Sequence, residues 1–269
     1  MPNLSEWTYG KKNILVYGST GTGKTTLFST IPGKLLIYMF DPSGLDSLAR
    51  LSKSAGGKNI LDRIDYEFFP PDSPIGIGRT KGGAQDPKAS RPSEPLAYAS
   101  FEDHVEDQIS RDFEGYDAVA LDSLTSLQQI VLDRLAWINN RYGQTNELAD
   151  YNIAGDTILK ICRALFKCQP VIYLTGHSDL VQDDVSKKVQ NQFDIVKNVR
   201  RLVPRALTDL WISTVNASQS ETKFNIQTLP SAQWPAAKNS FGLKFIEDVS
   251  IDPKKPLEEQ GIGRFLRNI

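Results

Sequence analysis

Two cysteines, two methionines and two histidines occur in 269 residues, and neither sign of charge dominates. No apolar run approaches the roughly 18 residues that cross a bilayer. Each shortage excludes something. Cys162 and Cys168 lie in one apolar-periodic segment and lack metal-ligand spacing, which predicts reduced, partly buried thiols instead of a disulfide or a zinc site. With a polar N-terminus and no membrane span or signal peptide in view, the expected location is cytoplasmic. Charges nearly cancel, 31 basic against 32 acidic, so any contact with nucleic acid has to come from a local patch. No internal repeat is present.

What the chain does carry is 40% hydrophobic residues, enough for a sizeable core in one α/β domain over residues 1–269. Its most informative stretch is Gly18-Ser19-Thr20-Gly21-Thr22-Gly23-Lys24-Thr25, followed by Thr26. It matches the nucleotide-phosphate loop pattern G-x-x-x-x-G-K-[ST] at every fixed position. A polyphosphate needs several backbone N–H groups converging on it, and a glycine-rich turn lets the main chain wrap that closely. Lys24 then reaches the β- and γ-phosphates, Thr25 offers its hydroxyl to Mg²⁺, and the following helix aims its positive end at the anion. The apolar strand before the loop (13–17) and the helical pattern after it (26–31) supply the strand-loop-helix setting the motif requires.

Strands and helices alternate along the rest of the chain. Continuous apolar runs at 34–40, 116–122 and 170–175 read as buried strands, with one or two more within 59–69. Helical patterns occupy 45–51, 101–113, 124–139 and 151–166, and His104 on the second of these reads as a solvated residue. Residues 70–95, rich in Pro, Gly, Ser and charge, predict a long mobile loop. Beyond 206, the strand-like pieces 209–215 and 222–227 read as antiparallel additions. This order predicts a mostly parallel sheet flanked by helices, with ligands at the carboxyl ends of its strands. Gly18, Asp41, Asp122 and His177 all fall at or just past such ends.

A carboxylate closing a buried strand downstream of a phosphate loop is the arrangement that organises Mg²⁺. Asp122 fits it, although Asp122-Ser123 also suits the cap of the next helix. With these residues in view, the chain resembles the RecA and KaiC group of ATPases, in which a strand ending in Asp-Ser precedes an apolar helix. Within it the likeness is to the short phage-encoded RecA-like ATPases of the single-strand annealing type, over Ile14 to about Phe245. That resemblance implies a RecA-like P-loop core and Mg·ATP as the cofactor. It also implies a water-activating acid after the second strand and a γ-phosphate sensor after Thr175-Gly176. Ser43 stands where RecA carries its glutamate, which leaves Asp41 or Asp46 to substitute or makes hydrolysis slow; Asp41 becomes the candidate acid, with helix capping as its alternative. His177, able to donate to a phosphate oxygen, becomes the candidate sensor.

The resemblance further implies single-stranded DNA as a partner, met by loops near 139–150 and 178–196, and a homo-oligomer, ring or filament, working in a phage's host cytoplasm. The one local basic concentration, Lys187, Lys188, Lys197, Arg200, Arg201 and Arg205, suits phosphate contact or a solvated helix face. In Trp234-Pro235-Ala236-Ala237-Lys238-Asn239-Ser240, Ser240 replaces an arginine common in the family. Lys238 is left as the residue able to reach a neighbour's nucleotide. Two functions stay open: an ATPase acting on DNA, or a nucleotide-binding scaffold with little turnover. The chain has no Asn-Lys-x-Asp run for guanine.

Overall fold

The computed structural model describes residues 12–41, 43–58, 60–71, 93–141, 144–182, 189–218 and 221–267. Most of the loop expected at 70–95 therefore lies outside the described residues, as do Lys187 and Lys188.

Six parallel strands form the centre. Strand β1 (Asn13–Gly18) is followed by β2 (Leu35–Met39), helix α1 (Ser43–Ser52), the short α2 (Ile60–Arg63) and β3 (Ile64–Phe68). Then come α3 (Ala97–Ser110), β4 (Ala118–Asp122), α4 (Leu124–Ile138), α5 (Leu148–Leu165) and the long β5 (Val171–Gln182). The chain closes with β6 (Val189–Phe193), α6 (Lys197–Ala206), β7 (Asp209–Ala217), β8 (Thr222–Gln227), β9 (Ile246–Asp248) and α7 (Gly263–Leu266). The sheet order is β3-β2-β4-β5-β1-β7-β8-β9, and β6 pairs with the outer half of β5. This is the mostly parallel core with helices on both faces that the sequence predicts. Strands β1, β2 and β4 are buried along their whole length, as continuous apolar runs covered on both faces must be.

The face carrying α3, α4, α5 and α6 packs Phe101, Leu127, Ile158 and Val199 onto Leu15, Tyr38, Leu121 and Leu174. On the other face Leu27, Phe28 and Leu48 pack with the C-terminal residues Val249, Ile262 and Leu266. Both cysteines are buried and free, and burial pushes the Cys162 thiol up to about 12.

Four expectations are corrected. Strand β7 pairs parallel with β1, so the antiparallel additions begin only at β8. The stretch 178–196 is largely a β-hairpin, Ser178 pairing with Phe193 and Gln182 with Val189. The outer half of β5, exposed or half-exposed from His177 to Gln182, runs on past the main sheet and pairs antiparallel with β6. The helix after the phosphate loop is a six-residue 3₁₀ turn, Thr25–Thr30. It stops because Ile31 is drawn into the extended conformation before Pro32. His104 is half-buried, its ring 5.5 Å from Tyr38 and 6.3 Å from Phe69, because one side of α3 turns it toward the aromatic core.

Candidate nucleotide site

The site is built on the insertion of β5 between β1 and β4. Gly18 at the end of β1 lies opposite His177 on β5, and Leu121 on β4 lies opposite Leu174. The phosphate loop, the strand-ending carboxylate and the sensor segment are thereby brought to one edge. They open into a cleft of about 720 Å³, lined among others by Thr20, Gly21, Gly23, Lys24, Thr25, Thr26, Asp41, Asp122 and His177.

Close approach explains the loop's glycines. A side chain at Gly18 would stand 2.3 Å from the carbonyl oxygen of Ser213 on β7. Gly21 and Gly23 have φ of +81° and +83°, the left-handed region that favours glycine. A side chain at Gly23 would also meet the Phe224 ring at 3.1 Å. The Thr22 hydroxyl pins the loop, donating to the carbonyl of Ser19 at 2.8 Å and standing 2.7 Å from the Ser213 hydroxyl. Ser19 and Ser178 hydroxyls lie 3.3 Å apart, which ties the loop to the base of the hairpin.

Lys24 is buried, and its ammonium donates to the carbonyls of Gly18 and Ser19, each at 2.9 Å. Burial lowers it to about 8, against an opposing pull from Asp122. The sign of the resulting pH dependence follows. Below about pH 8 the amine is charged before and after a phosphate arrives. Above it the free protein holds a neutral amine, the phosphate favours the charged one, and binding must take up a proton. ATP affinity is expected to fall about tenfold from pH 8 to pH 9.5, with proton uptake at pH 9 and none at pH 7. Calorimetry in two buffers of different ionisation enthalpy reads this directly, and flat affinity across that range contradicts it.

Asp122 accepts from the Thr25 hydroxyl and from the Thr175 hydroxyl, both at 2.5 Å. The peptide that follows it is cis, and Ser123 caps α4 by accepting from the N–H of Ser126 at 3.2 Å. The capping role weighed for that pair thus falls to Ser123, which leaves the Asp122 carboxylate to the two hydroxyls. Gly44 on α1 packs close by, since a side chain there would stand 2.8 Å from Thr25 and 3.3 Å from Asp122. Among the described residues no group of three or more His, Cys, Asp or Glu forms a metal cage. One hydroxyl and one carboxylate suit Mg²⁺, which keeps most of its shell as water and substrate phosphate oxygens. Thr25 and Asp122 would hold a Mg²⁺ bound there with nucleotide, and the metal would supply charge to the phosphates.

The remaining expected residues divide. His177 is half-buried on the cleft wall, its backbone N–H donating to the Thr125 hydroxyl at 3.1 Å. Burial, then the charge of Lys24, lowers its pKa, so at neutral pH the imidazole is uncharged with one N–H to donate. Asp41 borders the cleft but its carboxylate accepts from the N–H of Ser43 at 2.9 Å, which is helix capping. Lys238 is not brought to the cleft. Its backbone pairs with Leu210, which lies opposite Leu15 well back along β1, and its ammonium donates to the carbonyl of Leu207. Ser240, in the place of the family's arginine, donates its hydroxyl at 2.6 Å to the fully buried Asp209.

Sequence reasoning missed Thr175, Ser213, Arg50, Phe224 and Asp194. Thr175 was legible as the hydroxyl that closes the apolar run Val171–Leu174 of β5. The others sit on elements whose place in the sheet no local pattern reveals.

A family model described as an AAA domain, AAA_24, matches residues 10–240. The chain belongs to this AAA-domain family. The search of curated proteins found no match. Among solved structures, the AAA domain is similar to a KaiC-like protein from the hyperthermophilic archaeon Pyrococcus horikoshii OT3. That match has 13% identity and a TM-score of 0.47, covering 91% of this chain and 88% of the other. Membership makes the AAA domain a P-loop nucleotide binder, which accords with a loop whose Gly21, Gly23, Lys24 and Thr25 all line one cleft. No helix among its described residues is long and apolar enough to cross a membrane.

Proposed function

We propose that this AAA-domain protein is a Mg·ATP-dependent ATPase that couples its nucleotide state to single-stranded DNA through the β5–β6 hairpin. The observation that carries the nucleotide part is a second cavity of about 430 Å³ joined to the cleft through Gly23, Thr26, Arg50 and Phe224. Leu27, Leu51, Val249 and Ile251 make its wall largely apolar, as a base pocket requires. Its remaining polar side chains, from Thr26, Arg50, Lys53 and Ser54, include no carboxylate or amide. Adenine offers ring nitrogens to such donors. Guanine's N1–H and amino group would meet only the hydroxyls of Thr26 and Ser54, with no carboxylate to accept from both together, at a cost of about 1–3 kcal/mol.

ATP is therefore expected to bind about tenfold or more tightly than GTP, and Phe224→Ala to weaken ATP while leaving inorganic triphosphate unaffected. Competition titration with the three ligands tests this. Equal affinity for ATP and GTP, or equal loss of ATP and triphosphate in the variant, contradicts the base pocket.

Support for the DNA part lies in the hairpin's origin. His177 and Ser178 line the cleft, and the same strand continues outward to Leu180, which is 64% exposed and pairs with Asn191 on β6. A γ-phosphate contact at His177 thus moves the root of a projecting element. The resemblance to phage annealing ATPases supports a role in recombination or replication. Phosphate release with and without an oligonucleotide tests the coupling, and a rate indifferent to DNA removes it.

One observation favours the scaffold reading. Asp41 is already engaged with the N–H of Ser43, and Ser43 occupies the place of the family's glutamate. Tight ATP binding with no phosphate release, DNA present or absent, would select it.

A further inference from the structure

Helices α3, α4, α5 and α6 cover one face of the sheet in that order, α3 packing on α4, α4 on α5 and α5 on α6. On the outer side of this layer the two flanking helices carry opposite charge, while α5 between them exposes Asp156, Lys160 and Arg163. On α6, Val199 and Val203 point into the core, and Lys197, Arg201 and Arg205 form an exposed stripe on the opposite side. They repeat every fourth residue, about 6 Å along the axis. None of the three forms an ion pair with another described residue. Arg200, by contrast, is turned inward to Gln192 and the carbonyl of Ile195.

On the far flank α3 buries Phe101 and Val105 and exposes Glu102, Asp103, Glu106 and Asp107. Asp107 is paired with Arg111 and Glu102 accepts from the Tyr98 hydroxyl, whereas Asp103 and Glu106 form no ion pair with another described residue. Between the flanks, the first turns of α5 expose Leu148, Tyr151 and Ile153.

We propose that this outer face is an interface with a second copy of the chain, related by a two-fold axis, with α6 of each copy lying on α3 of the other. A two-fold axis running along the layer brings opposite flanks together, so both basic stripes meet both acidic ones in a single closed contact. Nucleic acid is the other polyanion such a stripe suits. The self-contact is favoured because its complement lies on the same face at the same four-residue repeat. In addition, α6 carries no aromatic side chain on which bases stack.

The test is the association state of the full chain by sedimentation equilibrium at about 50 mM and about 500 mM salt, where screening lengths differ about threefold. A dimer weakened by salt is expected. Arg201→Glu and Glu106→Arg should each raise its dissociation constant about tenfold or more, since each reversal acts at two symmetry-related contacts. The chain carrying both reversals should recover, which a folding defect would not do. A monomer at low salt, a dimer indifferent to both reversals, or failure of the double variant to recover overturns the proposal. A monomer in which Arg201→Glu abolishes retention of a labelled oligonucleotide assigns the stripe to nucleic acid instead.

Discussion

Lys24→Ala is expected to weaken ATP binding by about 100-fold and to bring phosphate release to background. Its ammonium is buried among the carbonyls of Gly18 and Ser19, and the other arginine or lysine lining the cleft among the described residues is Arg50, where the cleft joins the second cavity. A charge-assisted hydrogen bond to phosphate in such a place is worth about 2–3 kcal/mol, which is roughly 30- to 150-fold in affinity. Stability should move the other way. A lysine held down to about 8 by burial costs the folded state free energy at neutral pH. The nucleotide-free variant should therefore melt no lower than the parent. A fluorescent-nucleotide titration and a thermal melt check the two halves. Retained affinity would displace the loop from its assigned role, and a lower melting temperature would make any lost binding a folding effect.

Asp122→Asn is expected to slow phosphate release by about 100- to 1,000-fold while leaving the fold intact, the range found when one preorganised charge is removed from a transition state. The amide is isosteric and still meets both hydroxyls, accepting from one of Thr25 and Thr175 and donating to the other. What disappears is the negative charge. Release measured against Mg²⁺ concentration should require far more metal, and nucleotide binding in chelator should be unchanged. Lys24 also loses the group that raises it, so the pH at which ATP affinity begins to fall should shift below about 8. Parent-like metal dependence would exclude Asp122 from the metal site.

How much of this was legible beforehand differs from residue to residue. Gly18 to Thr25 could be read alone, because the demands of a polyphosphate act on consecutive residues. Asp122 followed because a carboxylate closing a fully apolar strand leaves the core at the sheet's carboxyl edge. His104 was misread, since a helical repeat does not say that a neighbouring strand will present Tyr38 and Phe69 to its flank. Strand β7 was expected antiparallel because a strand's direction is set by its partner, here β1, almost 200 residues away. Phe224 and Arg50 carried no local signal for the same reason: they become neighbours only when β8 and α1 close over Gly23.

The sequence by itself therefore determined the phosphate-binding loop, the carboxylate that closes β4 and the alternating parallel architecture, all properties of contiguous runs whose periodicity and residue type act locally. Tertiary structure decided what faces what. It set Thr175 against Asp122, gave Asp41 to the N–H of Ser43, sent Lys238 to the far end of β7, and joined an apolar pocket to the phosphate cleft. The reason is physical. Burial and hydrogen-bond satisfaction are settled between elements distant in sequence, and only the assembled sheet order fixes which unpaired groups meet.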